Sequence, residues 1–199
     1  IHIMDAITGK RIKKLVKGNR SVDFEELKWL QPGLSWSPDS EKIVVAAKAG
    51  KGDVLHLIDI KSRKGEKIEI DLDGVFSASW SPLGNEIVFV GQDGNSSDLY
   101  IYNLDKRSKK KITNDIFTDS YPSWNSEGTE IVFVSDRGNN IDGQYDGIMF
   151  DHNYRQTDIF TINVKSGMIN RITSTDFNES HPVWANTENT LFYTADKNG

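Results

Sequence analysis

The sequence contains no cysteine among its 199 residues. Disulfide bonds, thiolate metal sites and cysteine nucleophiles are therefore excluded, although this absence does not distinguish a reducing from an oxidising compartment. Proline is also sparse, with five residues, and no apolar run approaches the roughly 20 residues that a transmembrane helix needs. The sequence therefore predicts no membrane-spanning helix.

An excess of positive charge is missing as well. Lys and Arg total 24 against 29 Asp and Glu, which gives a formal net charge of −5 at pH 7. Nucleic-acid-binding domains usually carry a clustered basic face. The one basic run, residues 106–111, falls in a predicted turn, where solvated charges discourage pairing between sheet edges. We therefore predict no nucleic-acid partner.

Catalytic signatures are absent too. The stretch Gly33-Leu-Ser-Trp-Ser-Pro38 resembles a nucleophile elbow only at its start, because Ser37 stands where that motif requires glycine. There is no His-Glu-x-x-His zinc helix, phosphate-binding loop or dinucleotide fingerprint, and the four histidines are scattered along the chain. These absences favour a non-catalytic protein.

What the sequence does contain is a repeat marked by tryptophan. Trp36, Trp80, Trp124 and Trp184 each precede a polar turn and then an apolar strand, such as the Ile-Val-Phe-Val of residues 131–134. The tryptophans are spaced by 44, 44 and 60 residues, so only the last step needs an inserted loop. After the apolar strand each complete unit continues with a loop ending in Asp, an alternating strand and a fourth short strand.

A period of about 40–45 residues with four short strands is typical of a β-propeller blade. We therefore predict an all-β fold, a β-propeller with four-stranded antiparallel blades. Three whole blades are expected at about residues 33–70, 76–113 and 120–173, with half blades at residues 1–17 and 182–199. The two half blades could combine and close a ring of four. We favour an arc of a larger propeller, because the smallest rings are uncommon.

The region before the first whole blade supports two further expectations. The chain opens on Ile1-His-Ile-Met without a signal peptide, so we expect a segment of a longer protein whose targeting cannot be read. The connection at residues 17–31 is unusually long, and its residues 24–30 are compatible with a short helix.

The repeated tryptophans and aspartates are predicted to be structural. Because the tryptophans recur at one blade position, we expect them to pack between neighbouring blades, with each indole N–H donating to a backbone acceptor. Asp53, Asp98 and Asp158 each stand at the start of a third strand. We interpret them as carboxylates that accept backbone N–H groups in the loop, as in an Asx-type turn, with a ring of metal ligands as the alternative.

One rim of the predicted propeller is rich in carboxylates. The loops between second and third strands and the loops between blades share this rim, and they carry many aspartates together with Glu179. Such a face attracts cations or a basic partner. Asp119 belongs to the same set, and His181, which aligns with Tyr121, is predicted at the mouth of the central channel.

The insertion at residues 138–157 is the one place where the repeat is broken. A long loop on a rigid scaffold is often functional. Its aromatic residues and Met149 are of types favoured at protein contacts, and its carboxylates are oxygen ligands suited to calcium, although their spacing is not that of an EF-hand. Packing across the face is a further alternative. The predicted partner-binding residues are Asp119, Asp142, Tyr145, Asp146, Phe150, Asp151, Tyr154, Glu179 and His181, and the calcium candidates are Asp142, Asp146 and Asp151.

The repeat resembles that of TolB-type propellers. The matching motifs are Trp36-Ser-Pro-Asp39, Trp80-Ser-Pro82, Asp98-Leu-Tyr100, Ser135-Asp-Arg-Gly138 and Asp158-Ile-Phe160. The Asn-Ser and Ala-Asn that follow the last two repeat tryptophans depart from the Ser-Pro of the family, so those two turns are expected to differ.

The resemblance implies a function as well as a fold. It implies a non-catalytic scaffold of the bacterial envelope, periplasmic and with a Tol–Pal-like role, that binds a protein or peptide and needs no cofactor. The same repeat also forms the gating propeller of prolyl-oligopeptidase-like and tricorn-type proteases. A propeller module of a larger hydrolase is therefore the alternative, and no partner-binding residue of the family transfers to a numbered position here.

Overall fold

The structure is a computed structural model, and all of its regular secondary structure in the described residues is β. The described residues are 1–16, 26–27, 33–49, 52–145, 147, 152–185 and 190–196. Asp146, Met149, Phe150 and Asp151 of the predicted partner loop lie outside the described residues.

The strands form successive antiparallel sheets along the chain. The first sheet is β1 (His2–Met4) with β2 (Arg11–Lys14), and the second contains β3 (Glu26–Leu27), β4 (Leu34–Trp36), β5 (Lys42–Ala49), β6 (Gly52–Asp59) and β7 (Gly65–Glu69). The third is β8 (Gly74–Trp80), β9 (Glu86–Asp93), β10 (Ser96–Asn103) and β11 (Ser108–Lys111). The fourth is β12 (Asp119–Trp124), β13 (Glu130–Ser135), β14 (Asp158–Asn163) and β15 (Ile169–Arg171), and the last is β16 (Asn178–Trp184) with β17 (Leu191–Asp196).

The core lies between the sheets, and β9 shows why. Its side chains alternate between two faces: Ile87 and Phe89 pack toward the preceding sheet, whereas Val88 and Val90 pack toward the following one. All four side chains are buried. A strand that is apolar on both faces needs a sheet on each side. The predicted all-β propeller with four-stranded antiparallel blades is confirmed.

The partial sheets bear on the alternative of a four-blade ring, and the long connection differs from its prediction. Within the described part of the chain, β1–β2 and β16–β17 are separate two-stranded sheets, so the mixed blade that would close a ring of four is not formed there. The helix expected at residues 24–30 is wrong for Glu26 and Leu27, which form β3 and pair with Lys48 and Ala47 of β5. The exposed edge of the long strand β5 supplies backbone partners that an isolated helical turn would lack.

The prediction for the tryptophans is confirmed for two of them. Trp80 and Trp124 are buried, and their indole N–H groups donate to the carbonyls of Gly84 at 3.0 Å and Ser79 at 3.2 Å. It is wrong for Trp36, which is 45% exposed. Trp80 and Trp124 pack against whole sheets, whereas only the short strands β1 and β2 and the two-residue β3 are described on the chain before Trp36.

Candidate functional site

The innermost strands of four successive sheets line a groove of about 470 Å³. The strands β4, β8, β12 and β16 lie side by side across the four sheets, because β4 contacts β8, β8 contacts β12, and β12 contacts β16. Their central residues form the walls, and Pro122 and Pro182 are among them. None of the described residues that line the groove is Lys, Arg, Asp or Glu. The groove therefore suits an uncharged segment of a ligand.

A backbone irregularity recurs at the same repeat position in each wall. Gly33, Ser77, Tyr121 and His181 have φ values of 46°, 49°, 51° and 52°, in the left-handed region. In β8, β12 and β16 the pairing register with the second strand shifts at this residue, as in a β-bulge. Three of the four residues are not glycine, and left-handed backbone at such residues is sparsely populated and concentrates at functional sites.

Two of these residues form a ring pair at the groove. The Tyr121 and His181 rings lie 4.2 Å apart between centroids, with an interplanar angle of 42°. The His181 side chain is exposed, and its Nδ1 lies 3.0 Å from Ser180 Oγ. The pair gives a ligand an aromatic surface and ring nitrogens for hydrogen bonding. The structure therefore places His181 among the residues that line the groove.

A buried ion cluster lies beneath the rim that carries the inter-blade loops. The Arg137 guanidinium donates to Asp115 Oδ2 at 3.0 Å and to Asp119 Oδ1 at 2.6 Å. Arg137 and Asp119 have no exposed surface. The guanidinium also lies within 6 Å of three phenylalanine rings, including those of Phe117 and Phe133. The Asp119 carboxylate is thus engaged inside the molecule, although the sequence placed it among rim contacts.

Burial dominates the electrostatics of this cluster. It raises the pKa of Asp119 to about 6, while the Arg137 guanidinium and the Thr113 hydroxyl oppose the shift. Burial also raises the pKa of Asp115, again against the opposing effect of Arg137. A carboxylate desolvated in this way favours its neutral form unless a cation stays beside it.

The aspartates that start the third strands have structural partners. Asp53 Oδ2 accepts the N–H of Val75, the second residue of the next blade's inner strand, at 2.9 Å. This donor is a backbone N–H, as predicted, but it belongs to the next blade and not to the loop of Asp53 itself. Asp98 pairs with Lys111 at 2.8 Å and Asp158 with Arg171 at 2.7 Å. Within the described residues no group of three or more His, Asp or Glu side chains is arranged to hold a metal ion.

The remaining predicted partner residues are spread over the rim. Glu179 is buried and accepts a hydrogen bond from Thr175 Oγ1 at 2.5 Å. Asp142 and Tyr154 are exposed, and Tyr145 is half-buried against Phe117, with 6.0 Å between ring centroids. Their part in partner binding stays a prediction.

His152 is a site residue that the sequence reasoning missed. Its Nε2 lies 3.2 Å from Asp136 Oδ2, and both side chains are buried. His152 belongs to the insertion and has no counterpart in the other repeats, so no repeat signal pointed to it. Only its neighbourhood in a long loop marked it for attention.

The family follows from a sequence comparison. The family model described as the TolB beta-propeller domain matches residues 16–145. The chain belongs to this family. No curated protein matches the sequence.

Solved structures share the fold of this TolB-type propeller chain. TolB from Acinetobacter baumannii is 20% identical with a TM-score of 0.66, and the match covers 90% of this chain and 38% of that one. An oligogalacturonate lyase from Vibrio parahaemolyticus is 14% identical with a TM-score of 0.64, covering 98% of this chain and 52% of the other. Dipeptidyl peptidase 4 from Porphyromonas gingivalis is 12% identical with a TM-score of 0.54, covering 96% and 32%.

At these identities the similarities establish the fold alone. The chain spans 38% of the Acinetobacter TolB and 52% of the Vibrio lyase. No helix in the described residues is long and apolar enough to cross a membrane.

Proposed function

We propose that this chain is a non-catalytic propeller scaffold that binds a protein or peptide segment in its axial groove. The observation that carries the proposal is the groove itself, which is walled by four inner strands and bears the Tyr121–His181 ring pair. Its uncharged walls suit a neutral stretch of polypeptide. The fold shared with Acinetobacter TolB supports the same reading.

The surrounding rim suits a partner with basic flanks. The exposed carboxylates in the rim loops are Asp71, Asp73, Asp93, Asp142 and Asp176. The exposed basic side chains described in the same loops are Lys48 and Arg155. The excess of negative charge attracts a basic partner, and it increases the association rate more than it increases the final affinity.

Panning a display library of random peptides against the protein tests the groove. We expect enriched peptides whose binding is lost in Tyr121→Ala and His181→Ala and retained in Met168→Ala, which removes an exposed apolar side chain away from the groove. Binding that survives both groove substitutions, or no enrichment at all, would refute the proposal.

We further propose that the protein acts in the periplasm or cell envelope of a bacterium, in a role like that of the Tol–Pal system. The support is the membership of the TolB beta-propeller family. Fractionation of cells that produce the full-length protein tests this, and recovery in the cytoplasmic fraction would contradict it.

A propeller module of a larger hydrolase is the second candidate. It is favoured by the fold shared with the Porphyromonas peptidase over 96% of this chain. The full-length reading frame discriminates between the two candidates. A Gly-x-Ser-x-Gly motif followed by later Asp and His residues would favour the peptidase, because these residues form the catalytic triad of that class.

We propose that binding needs no metal cofactor. The competing hypothesis is a calcium site at the insertion. Of its three candidate ligands only Asp142 lies within the described residues, and it is exposed. Free calcium at 100 times its dissociation constant would add about 2.7 kcal/mol to the free energy of unfolding. We expect no such rise in denaturation experiments, and a rise that Asp142→Asn abolishes would establish the calcium site.

A further inference from the structure

The insertion contacts two successive inter-blade loops. The first, residues 112–118, connects β11 to β12, and the second, residues 172–177, connects β15 to β16. The described parts of the insertion, residues 138–145, 147 and 152–157, reach both loops from the connection between β13 and β14. The described parts of the insertion therefore reach both blade junctions.

The first loop is held by an aromatic cluster. The His152 ring packs on the fully buried Phe117 at 5.3 Å between centroids, and Tyr145 packs edge-on against both rings at 6.0 and 5.4 Å. Asp136 joins the two sides: its Oδ2 lies 3.2 Å from His152 Nε2, and its Oδ1 accepts the N–H of Thr118 at 2.8 Å. The buried ring contacts and the hydrogen bond from Thr118 to Asp136 hold this anchor in place.

Hydrogen bonds to the second loop and to the start of β16 form the other anchor. The Gln156 side-chain amide donates to the carbonyls of Thr175 at 3.1 Å and Phe177 at 2.6 Å. The Thr157 N–H donates to Asn178 Oδ1 at 3.1 Å, and its hydroxyl donates to the Glu179 carbonyl at 3.0 Å. The end of the insertion is thus fastened to the chain two residues before His181.

Both anchored segments run directly into the groove. Thr118 precedes Tyr121 by three residues, and Glu179 precedes His181 by two. We infer that the insertion is a brace that fixes the spacing between the Tyr121 and His181 rings, so that His152 and Gln156 are positioning residues for the axial groove. For its effect on binding, this inference rests on the proposed function.

The preceding blade supports a role beyond the fold. Its second and third strands, β9 and β10, are joined by a tight hairpin in which Asp93 pairs with Ser96. The sheet therefore forms without an insertion at this position. The residue of that blade at the groove is Ser77, which has no ring to place against Tyr121. The brace instead lies at the junction between β12 and β16, where the Tyr121 and His181 rings pack together.

The test compares Gln156→Ala and His152→Ala with Asn153→Ala, a control at an exposed position within the insertion that is outside the predicted partner-binding set. The first measurement is the NMR chemical shift of the His181 Hε1 proton, which senses the ring current of Tyr121. In both anchor variants we expect this shift to move from the wild-type value toward that of Tyr121→Ala. The control should keep the wild-type value.

The second measurement is the affinity for a peptide enriched in the groove panning. We expect the dissociation constant to rise about two- to thirtyfold in the anchor variants and to stay unchanged in the control, since couplings of this kind carry about 0.5–2 kcal/mol. If His152→Ala fails to fold, Gln156→Ala, whose side chain is only half-buried, still decides the question.

The outcomes separate this inference from the proposed function. If the wild type binds the peptide and both anchor variants keep the wild-type affinity and His181 shift, the brace is wrong. If the wild type binds no peptide, the proposed function fails, whereas a moved His181 shift in the anchor variants would still support the brace.

Discussion

Arg137 is the largest fully buried side chain in the described part of the chain. A buried guanidinium is tolerated only when its charge is compensated, and here Asp115 and Asp119 supply the compensation. The surrounding phenylalanine rings exclude water and add cation–π contacts. At the residue scale, the two buried carboxylates beneath the rim therefore depend on the Arg137 guanidinium for their charge compensation.

Arg137→Leu should destabilise the protein by about 3–5 kcal/mol, because it leaves two desolvated carboxylates without their cation. The matched control is Arg107→Leu, since Arg107 and Glu66 form an exposed pair at 3.9 Å. Such surface pairs contribute below about 1 kcal/mol. Urea unfolding of both variants measures the difference. Equal losses of unfolding free energy would show that the buried Arg137 contributes no more to stability than the exposed Arg107.

The titration of Asp119 predicts a pH dependence. Because its folded-state pKa of about 6 lies above the 3.8 of an unperturbed aspartate, the folded protein holds this proton more tightly than the unfolded chain does. Between about pH 4 and 6 this group therefore makes the free energy of unfolding fall as the pH rises. The fall amounts to as much as about 3 kcal/mol.

Asp119→Asn should remove that component, so its unfolding free energy should fall less steeply than that of the wild type between pH 4 and 6. Urea unfolding at pH 4, 5 and 6 checks the slope. Asp105→Asn, at an exposed position, serves as the control and should follow the wild type. Parallel slopes for all three proteins would contradict the raised pKa of Asp119.

At the scale of the elements, the inner strands are shaped by how closely they approach one another. Gly33, just before β4, packs against the backbone of β8, and a Cβ there would lie 2.2 Å from the nitrogen of Ala78. Its φ of 46° is also left-handed. Glycine meets both demands, because it has no Cβ to clash or to strain.

Gly33→Ala should cost about 3 kcal/mol or more, since strain and an unavoidable clash with backbone act together. Gly9→Ala separates the two effects, because Gly9 has a φ of 66° but nothing within 4 Å of the added Cβ. That variant should lose only about 1–2 kcal/mol. Thermal unfolding of both proteins compares them, and similar losses would mean that β4 can move away from β8.

At the scale of the whole molecule, stability comes from sheets that cover one another. The sheets of β8–β11 and β12–β15 each have a described neighbour on both sides, whereas β17 presents mostly exposed side chains. In stacked architectures local stability approximates a sum of each unit and its interfaces. The middle sheets should therefore be the most stable part of the chain.

Native-state hydrogen exchange should follow this gradient. We expect the amides of β9 and β13 to exchange most slowly, at rates set by global unfolding, and those of β17 to exchange fastest among the strands. Exchange read by NMR at residue resolution measures both. Equal protection of β17 and β13 would show that the sheets unfold as a single unit.

The repeat made the fold predictable from the sequence, whereas the candidate site was predictable only in part. Residues 87–90 are apolar at every position, and burial between two sheets is what such a strand requires. The position of His181 followed from its alignment with Tyr121. The Tyr121–His181 ring pair and the left-handed backbone beneath it were not visible, because they depend on how neighbouring inner strands approach.

What the sequence determined by itself is the blade, because hydrophobic alternation and turn residues act locally and recur with a fixed period. What only the tertiary structure decided is which side chains of the rim loops are buried and what they contact. Asp119 and Glu179 read as surface carboxylates in sequence, yet they are buried, and His152 stood in an unmatched loop, yet it anchors that loop to Asp136. The path of a loop without a repeat partner is set by contacts between residues distant along the chain, and no local pattern encodes those contacts.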